Sequence, residues 1–218
     1  MVRIDLHTHT SPKSFCSTVS PDSMIKQARE VGLDGVCFTE HDEPWDEEAI
    51  ERLRQKHGFL ILRGMEVNTE YGHMLVFGVH RYLYGMHRAE FLREIVDAEG
   101  GAIVIAHPFR RPVYSGGGFG SLDTGVTIET AAQHAVFRMV EAVEVLNAGR
   151  PERENRFAAE FCDAVGLPKA GGSDAHALDE VGLAYTVFDQ PITSEADLIR
   201  ELKHGAYHPE SRPRALDQ

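Results

Sequence analysis

Cysteine is scarce in this chain of 218 residues. Cys16, Cys37 and Cys162 are the only three, their spacings are unrelated, and no CxxC pair occurs. The sequence therefore excludes a disulfide framework and a CxxC zinc knuckle as the basis of the fold. A chain of this length buries enough apolar surface to be stable without such crosslinks. We expect packed thiols and a reducing compartment.

Long apolar stretches are also missing. No run approaches the roughly 20 residues that a membrane-spanning helix needs. The first ten residues, MVRIDLHTHT, lack the basic-then-apolar order of a secretory leader. Hydrophobic residues make up 42% of the chain and charged residues 26%, a balance typical of a globular protein rather than a disordered one. We expect a cytoplasmic protein without membrane association.

Basic residues are in deficit. Lysine and arginine number 22 against 34 aspartate and glutamate residues, which gives a formal net charge of -12. A field of this sign repels polyanions. The sequence therefore predicts that the chain does not bind long nucleic acid, although bound cations would change the local charge.

Apolar runs of strand length alternate with segments of helical spacing. Near-continuous runs such as 102–106 (AIVIA) are typical of parallel strands covered on both faces. The predicted strands cover 2–6, 34–39, 59–67, 73–79, 102–106, 142–146, 168–172 and 184–188, and the predicted helices cover 20–32, 46–57, 88–99, 152–165 and 194–204. This alternation indicates an α/β barrel or a doubly wound sheet. The polar tail from about Pro209 is expected to fray.

Metal-capable side chains recur at the ends of the predicted strands. In chain order they are His7 and His9 at the first strand, His41 at the second, Glu66 at the third, His73 at the fourth, His107 at the fifth, and Asp174 and His176 at the seventh. Residues two positions apart on an extended chain leave the same face, so His7 and His9 can converge on one ion. The carboxyl ends of barrel strands open onto one face, where active sites collect. The sequence therefore predicts one pocket for all eight side chains.

Eight nitrogen and oxygen donors exceed what one ion can use while it also holds water and substrate. We predict two to three divalent metal ions, with Glu66 bridging a pair. Imidazole and carboxylate donors suit Zn, Mn or Fe. Of the remaining histidines, His80 is left unassigned, and the others are expected to be solvated: His57, His87, His134, His204 and His208.

Seven short motifs together resemble the PHP (polymerase and histidinol phosphatase) family of metal-dependent phosphoesterases. They are Asp5-Leu-His-Thr-His9, Thr39-Glu-His-Asp42, Gly64-Met-Glu66, Gly72-His-Met-Leu75, Ala106-His-Pro108, Glu144-Val-Leu-Asn147 and Gly172-Ser-Asp-Ala-His176. The motifs occur in the family's order and cover residues 1 to about 190. The resemblance implies a distorted seven-stranded (β/α) TIM-like barrel with a trinuclear metal centre, and a single hydrolase domain over residues 1–218.

The resemblance also implies which residues share each ion. His7 and His9 would hold the first ion with Asp174 and Glu66. His73 and His107 would hold the second with Glu66, and His41 and His176 would hold the third.

One segment departs from the family pattern. Similar family members place an aspartate or histidine several residues after the first HxH as a ligand of the third ion, whereas this chain has Ser14-Phe15-Cys16. Either Cys16 substitutes and biases the site toward a softer metal, or the third site is weakened or rebuilt with water, or Cys16 is simply packed.

The predicted function is hydrolysis of a phosphate monoester, a nucleotide or a short oligonucleotide by a metal-activated hydroxide. His176 or His107 would protonate the leaving group. Arg110, Arg111 and Arg150 are candidates for binding the phosphoryl oxygens, since guanidinium pairs with phosphate in a bidentate way. The glycine-rich stretch 115–121 is either an active-site lid or a surface insertion.

Two alternatives stay open at the level of sequence. One is a PHP-type binding or regulatory module without catalysis. The other is a metal-dependent amidohydrolase, whose barrel also begins with HxH but usually carries a lysine bridge where this chain has Glu66.

Overall fold

The computed structural model describes residues 1–110 and 122–213, and nine strands within them form one sheet. The strands are β1 (Val2–Thr8), β2 (Gly35–Phe38), β3 (Leu60–Thr69), β4 (Gly72–Phe77), β5 (Ala102–Ile105), β6 (Ala142–Asn147), β7 (Lys169–Gly172), β8 (Ala184–Phe188) and β9 (Tyr207–Ser211). Their order across the sheet is β7-β6-β5-β4-β3-β2-β1-β8-β9.

The described residues contain six α-helices, and each predicted helix is present with only its end residues shifted. They are α1 (Pro21–Glu30), α2 (Glu47–His57), α3 (Ala89–Ala98), the single-turn α4 (Ile128–Ala131), α5 (Glu152–Val165) and α6 (Glu195–His204). The predicted cap of α1 forms, because the Ser20 hydroxyl accepts from the Ser23 N–H with Pro21 in the first turn. Among residues 1–110 and 122–213, every helix falls short of the length and apolar character that a membrane crossing requires.

The sheet curls into a nearly closed barrel, and side chains complete its seam. The Thr186 hydroxyl on β8 accepts from the Gly171 N–H and donates to the Gly171 carbonyl on β7, both at 2.9 Å. Beyond the end of β7, the Asp174 N–H donates to the His7 carbonyl at 2.8 Å, and the His9 N–H donates to the Ala175 carbonyl at 3.1 Å. These bonds join β7 to β1 and β8 without a continuous ladder.

The barrel is confirmed, but its strand count is neither the seven that the resemblance implied nor the eight that the apolar runs predicted. The described residues contain nine strands because β8 runs antiparallel to β1, and β9 then pairs antiparallel with β8. Tyr207–Ser211 is therefore an ordered strand, and the prediction of fraying from Pro209 is wrong for Pro209 to Ser211. Its sequence looked like a polar tail because β9 is the last strand of the sheet and lacks fully buried residues. The last five residues lie outside the described part.

Apolar side chains fill the barrel below the mouth. This interior cluster takes residues from most of the strands, and α6 closes its lower end with Leu198 and Leu202. Two further apolar clusters pack helices on the outside, one with α1 and α2 and one with α3 and α5. The polar pocket thus sits on a packed core, with apolar layers on both sides of the strands.

Candidate metal centre

All eight side chains predicted to bind metal meet at one end of the barrel. Glu66, at 1% exposure, lies at their centre. Its Oε1 is 2.6 Å from His73 Nδ1 and 3.4 Å from His107 Nε2. Its Oε2 is 2.9 Å from His41 Nδ1. Glu66 therefore contacts histidines from three other segments of the barrel.

His7 and His9 complete the buried side of this centre. Their Nε2 atoms lie 3.1 Å apart, and both rings are fully buried. His7 Nε2 is 3.3 Å from Glu66 Oε1 and 3.4 Å from Asp174 Oδ1. His9 Nε2 is 3.3 Å from Glu66 Oε2 and from Asp174 Oδ1. The two histidines thus face the two carboxylates that the resemblance grouped with them.

Donor atoms that lie within 4.8 Å of one another form four overlapping groups in the described residues. The groups are His7-His9-Glu66, His7-His107-Asp174, His41-Glu66-His73 and His9-Cys16-His41-His176. The other six histidines of the chain join none of them. The structure groups His73 with His41, whereas the resemblance implied a pairing of His73 with His107. His57 was expected to be solvated, but its Nε2 lies 2.5 Å from Asp22 Oδ1.

Strand direction explains why His73 belongs to the mouth although it begins its strand. β4 runs antiparallel to β3, and His73 is paired with Asn68 near the carboxyl end of β3. The start of β4 therefore lies level with the ends of its neighbours. A purely parallel barrel would have placed His73 at the opposite end.

Irregular backbone aims several of these side chains inward. A register shift in β1 between Asp5 and Thr8 lets His7 and His9 face the interior that Ile4 and Leu6 also occupy. His107 and Asp174 adopt positive φ values of 29° and 56°. Such values are rare for residues other than glycine and concentrate at functional sites. The backbone conformation therefore contributes directly to the convergence of donors.

Behind the eight donors lie two carboxylates, those of Glu144 and Asp5. Both residues belong to the sequence motifs, but the sequence alone predicted no role for them. Glu144 Oε1 is 2.9 Å from His7 Nδ1, and Glu144 Oε2 accepts from the His107 N–H at 3.0 Å. Asp5 accepts from the N–H groups of His7, Ser173 and Gly182. In many metal sites, hydrogen bonds from residues behind the ligands hold the histidine rings in one orientation. The signal that could have revealed Glu144 is an acidic residue inside the otherwise apolar run 142–146 (AVEVL) of β6.

Glu40 organises the loop after β1 in a similar way. Its carboxylate accepts from the Thr10 N–H, the Ser14 hydroxyl and the Trp45 Nε1–H. Glu40 is fully buried. It follows that the loop over the mouth is anchored to β2 rather than resting on the surface.

Gly172 is needed where β7 passes behind the centre. A Cβ atom there would lie 2.5 Å from His7 Cβ and 2.7 Å from Glu144 Oε1. Real Cβ atoms do not approach other atoms so closely. The glycine in the Gly172-Ser-Asp-Ala-His176 motif thus allows the close approach of β7 to His7 and Glu144.

The charges of the centre balance one another. Burial alone would lower the pKa of His7, but Asp174, Glu144 and Glu66 raise this pKa well above its ordinary value. Burial would likewise lower the pKa of His9, yet hydrogen bonds to Asp174 and Glu66 raise it to about 9. In return, the histidines hold the pKa values of Glu66 and Asp174 well below their usual range against the effect of burial. Without metal, protons on imidazole therefore neutralise the carboxylates.

His176 differs from these buried histidines. Burial and the nearby His9 lower its pKa, and its Nδ1 lies 2.7 Å from the Asp174 carbonyl. The Nδ1–H can donate to this carbonyl, which leaves the Nε2 lone pair as the acceptor atom.

The residues present fit a group of divalent cations. In the described part of the chain, His41 Nδ1, Glu66 Oε2 and His107 Nε2 are buried, and none of their close contacts has the geometry of a hydrogen bond. Buried polar atoms are normally paired, and a cation satisfies lone pairs that converge in this way. The donor set of imidazole and carboxylate is the one that Zn, Mn and Fe use.

The predicted arginines are less closely tied to the centre. Arg110 follows the His107 turn and donates its backbone N–H to the His107 carbonyl at 3.1 Å. Arg150 lines a small cleft beside His107 and Glu144, but its Nε donates to Glu154 Oε2 at 2.9 Å. Arg111 and the stretch 115–121 lie outside the described residues.

Two models of known protein families match this chain. A model of the PHP domain matches residues 5–106, and a model described as PHP-associated matches residues 152–207. The two matches confirm the resemblance to the PHP family. The first match contains five of the eight donors: His7, His9, His41, Glu66 and His73. Asp174 and His176 lie in the second match, and His107 lies one residue beyond the end of the first.

Proteins similar to this chain include a sequence relative and a solved structure. This chain is 32% identical to the PolC-type DNA polymerase III of Oceanobacillus iheyensis over 66 residues. The match spans 30% of this chain and 5% of the polymerase. A two-domain Bacteroides vulgatus protein described as containing a PHP-like metal-dependent phosphoesterase has a TM-score of 0.67 and 20% identity over 96% of this chain and 64% of its own.

Two other solved structures are similar in fold. The lesion-specific endonuclease PfuEndoQ of Pyrococcus furiosus has a TM-score of 0.60 and 17% identity, covering 95% of this chain and 57% of its own. An amidohydrolase from Chromobacterium violaceum has a TM-score of 0.60 and 18% identity, covering 93% and 96%. At these identities the likeness concerns the fold alone.

Proposed function

We propose that this chain is a metal-dependent phosphoric ester hydrolase that acts on a phosphate monoester, a nucleotide or a short oligonucleotide. The observation that carries the proposal is the convergence of six histidines, Glu66 and Asp174 on one pocket with buried, unpartnered donor atoms. The family supports hydrolysis of this kind, and the two-domain relative is described as a phosphoesterase. The substrate is our inference.

The eight donors would hold two to three divalent ions of Zn, Mn or Fe. Glu66, His7, His9 and Asp174 would form the buried part of the binding set, and His41, His73, His107 and His176 would form the rest. When bound, such ions polarise phosphoryl oxygens and lower the pKa of water, which is the chemistry that hydrolysis of a phosphate ester requires.

The chain's own residues would orient and protonate the substrate. Glu144 fixes the His7 ring and the His107 backbone, so both keep one orientation during the reaction. His107 and His176 are the candidates for proton transfer. His176 is the more accessible of the two, with a side chain 32% exposed against 4% for His107, so it can reach a leaving group more readily. The lowered pKa of His176 favours its neutral ring, and its Nε2 can carry a proton to the leaving group only while that atom binds no ion.

Arg110 and Arg150 would bind phosphate oxygens at the rim. Both follow strand ends at the mouth, and guanidinium matches phosphate by two parallel hydrogen bonds. Arg150 would have to exchange its Glu154 contact for the substrate, since that contact occupies its Nε.

The substrate class is proposed from charge. A chain with a net charge of -12 repels long polyanions. A small phosphate ester would contact only the mouth of the barrel, where bound cations would attract it. The endonuclease relative makes a short oligonucleotide a necessary part of any substrate screen.

The experiment is a hydrolase screen on the metal-loaded full chain. Substrates are an aryl phosphate, nucleoside monophosphates, histidinol phosphate, a short oligonucleotide and an aryl amide. We expect Mn- or Zn-dependent release of phosphate or cleavage of the phosphodiester, lost in His9→Ala and kept in the matched control His204→Ala, whose histidine is exposed on α6.

Three results bear on the alternatives. Full activity of His9→Ala, or activity that survives thorough chelation, contradicts the mechanism. Turnover of the amide alone favours the amidohydrolase. Tight metal binding without any turnover favours a binding or regulatory module.

A further inference from the structure

Cys16 lies at the open side of the metal centre rather than in the core. It is exposed, whereas Cys37 and Cys162 are buried in apolar clusters. Cys16 belongs to none of the apolar clusters of the described residues. Packing therefore does not explain this thiol.

The thiol is close to three imidazoles. The donor atoms of Cys16, His9, His41 and His176 all lie within 4.8 Å of one another. The His9 ring stacks 4.6 Å from His41 and lies 4.5 Å from His176, measured between ring centroids. Because His9 Nε2 faces Glu66 and Asp174 at 3.3 Å, His9 serves the buried part of the centre. Cys16, His41 and His176 remain as a set of one sulfur and two nitrogen donors.

The loop that carries Cys16 is held in place by hydrogen bonds on both sides of the residue. The Ser14 hydroxyl donates to the buried Glu40 carboxylate. The Ser17 hydroxyl donates to the His9 carbonyl at 2.7 Å, and the Thr18 N–H donates to the His176 carbonyl at 3.1 Å. The loop is thus attached to the two segments that supply the neighbouring imidazoles, and the thiol is positioned before any ion arrives.

We propose that Cys16, His41 and His176 bind a third ion through one thiolate and two imidazoles, and that this site selects a thiophilic metal such as Zn²⁺ or Co²⁺ over Mn²⁺. The inference rests on the proposed metal centre and adds the identity of its outer site. Thiolate ligands favour zinc and other soft ions, whereas carboxylate and water suit manganese. On binding, the Cys16 S–H bond breaks, the sulfur keeps the electron pair and bonds the ion, and the proton passes to solvent. Three protein ligands leave a position open, as in catalytic zinc sites.

The test uses the full metal-free chain titrated with Co²⁺, followed by near-ultraviolet absorption, and metal analysis of the Zn²⁺-loaded protein. The wild type should gain a thiolate-to-cobalt charge-transfer band as its last ion binds. Cys16→Ser should lose the band and bind that ion at least about tenfold more weakly. Cys162→Ala is the matched control, and it should keep both properties because Cys162 lies on the buried face of α5.

A second variant guards against loss of the loop conformation. Cys16→Asp replaces sulfur by an oxygen donor, so it should keep the ion count, lack the band, and shift the preference from Zn²⁺ toward Mn²⁺. Absence of the band in the wild type, or equal affinity for the last ion in the wild type and Cys16→Ser, overturns the inference while leaving the buried ions and the proposed hydrolase intact. A wild type that binds no ion overturns both proposals.

Discussion

Single side chains in this centre depend on partners that supply opposite charge. His7, fully buried, has the Glu144 carboxylate 2.9 Å from its Nδ1 and Glu66 and Asp174 near its Nε2. An imidazole in such surroundings is oriented by the carboxylate behind it and offers its other nitrogen to the cavity. The properties of the donors therefore cannot be separated from the residues one layer further out.

Glu144→Gln tests this second layer. The amide keeps the size of the side chain but removes the negative charge that orients His7 and accepts from the His107 N–H. We expect metal affinity to fall by roughly 10- to 100-fold, measured by competition with a chelating dye, with the circular dichroism spectrum unchanged. Glu154→Gln on the rim is the control. Equal affinity in Glu144→Gln and wild type would show that Glu144 has no such role.

Stability of the metal-free protein should depend on pH in a defined direction. The pKa of His9 rises from 6.5 to about 9 on folding, so its protonated form stabilises the folded state. This contribution is complete below pH 6.5 and is lost as pH rises through about 9. Chemical unfolding of the chelated protein at pH 6.5 and pH 9 should show the lower free energy of unfolding at pH 9, and His9→Asn should weaken the dependence. A higher stability at pH 9 than at pH 6.5 would contradict the assignment of protons to the imidazoles.

The strands position these side chains at places where their backbone departs from regular strand geometry. The strand periodicity located β1 and β7 and their polar ends, so the eight donors could be chosen from the sequence. The register shift in β1, the positive φ of His107 and Asp174, and the antiparallel direction of β4 have no signature in apolar spacing. They result from long-range pairing between strands, which is why the detailed grouping of donors differs from the expected one.

Gly172→Ala tests the close approach of β7 to the centre. The added Cβ meets the Cβ atom of His7 on β1, so the strands must move apart. We expect a loss of about 3 kcal/mol in the free energy of unfolding, together with weaker metal binding. Gly35→Ala on β2 is the matched control, because the atoms nearest to its Cβ belong to the Leu60 side chain, the first at 3.0 Å. A Gly172→Ala protein as stable as Gly35→Ala would show that β7 is not so constrained.

Thr186→Val tests the closure of the barrel. Valine has the same shape but leaves the Gly171 N–H and carbonyl without the hydroxyl that serves both at the seam. Such a loss costs about 1–3 kcal/mol in the free energy of unfolding, measured by denaturant titration. Tyr185→Phe, which removes the neighbouring hydroxyl from its contact with Glu210, should cost less because that contact is only partly buried. The reverse order would argue against the seam as a structural requirement.

At the scale of the whole molecule, a strongly acidic chain concentrates its histidines around buried carboxylates. Sequence reasoning found the barrel and the pocket residues because they are carried by local motifs and strand ends. It found β8 but not its antiparallel direction, and it missed β9, because β9 is polar and short. The single domain over 1–218, the cytoplasmic location and the absence of long nucleic acid among its partners stay predictions.

The central claim is that the eight side chains together hold divalent ions. The most direct test is to purify the chain, reconstitute it with metal and count the ions it retains by inductively coupled plasma mass spectrometry. The account predicts at least two tightly held ions per chain and the loss of more than one in Glu66→Gln, since Glu66 contacts donors on several sides. A wild type that retains none, or a Glu66→Gln protein that retains the full complement, would contradict the account.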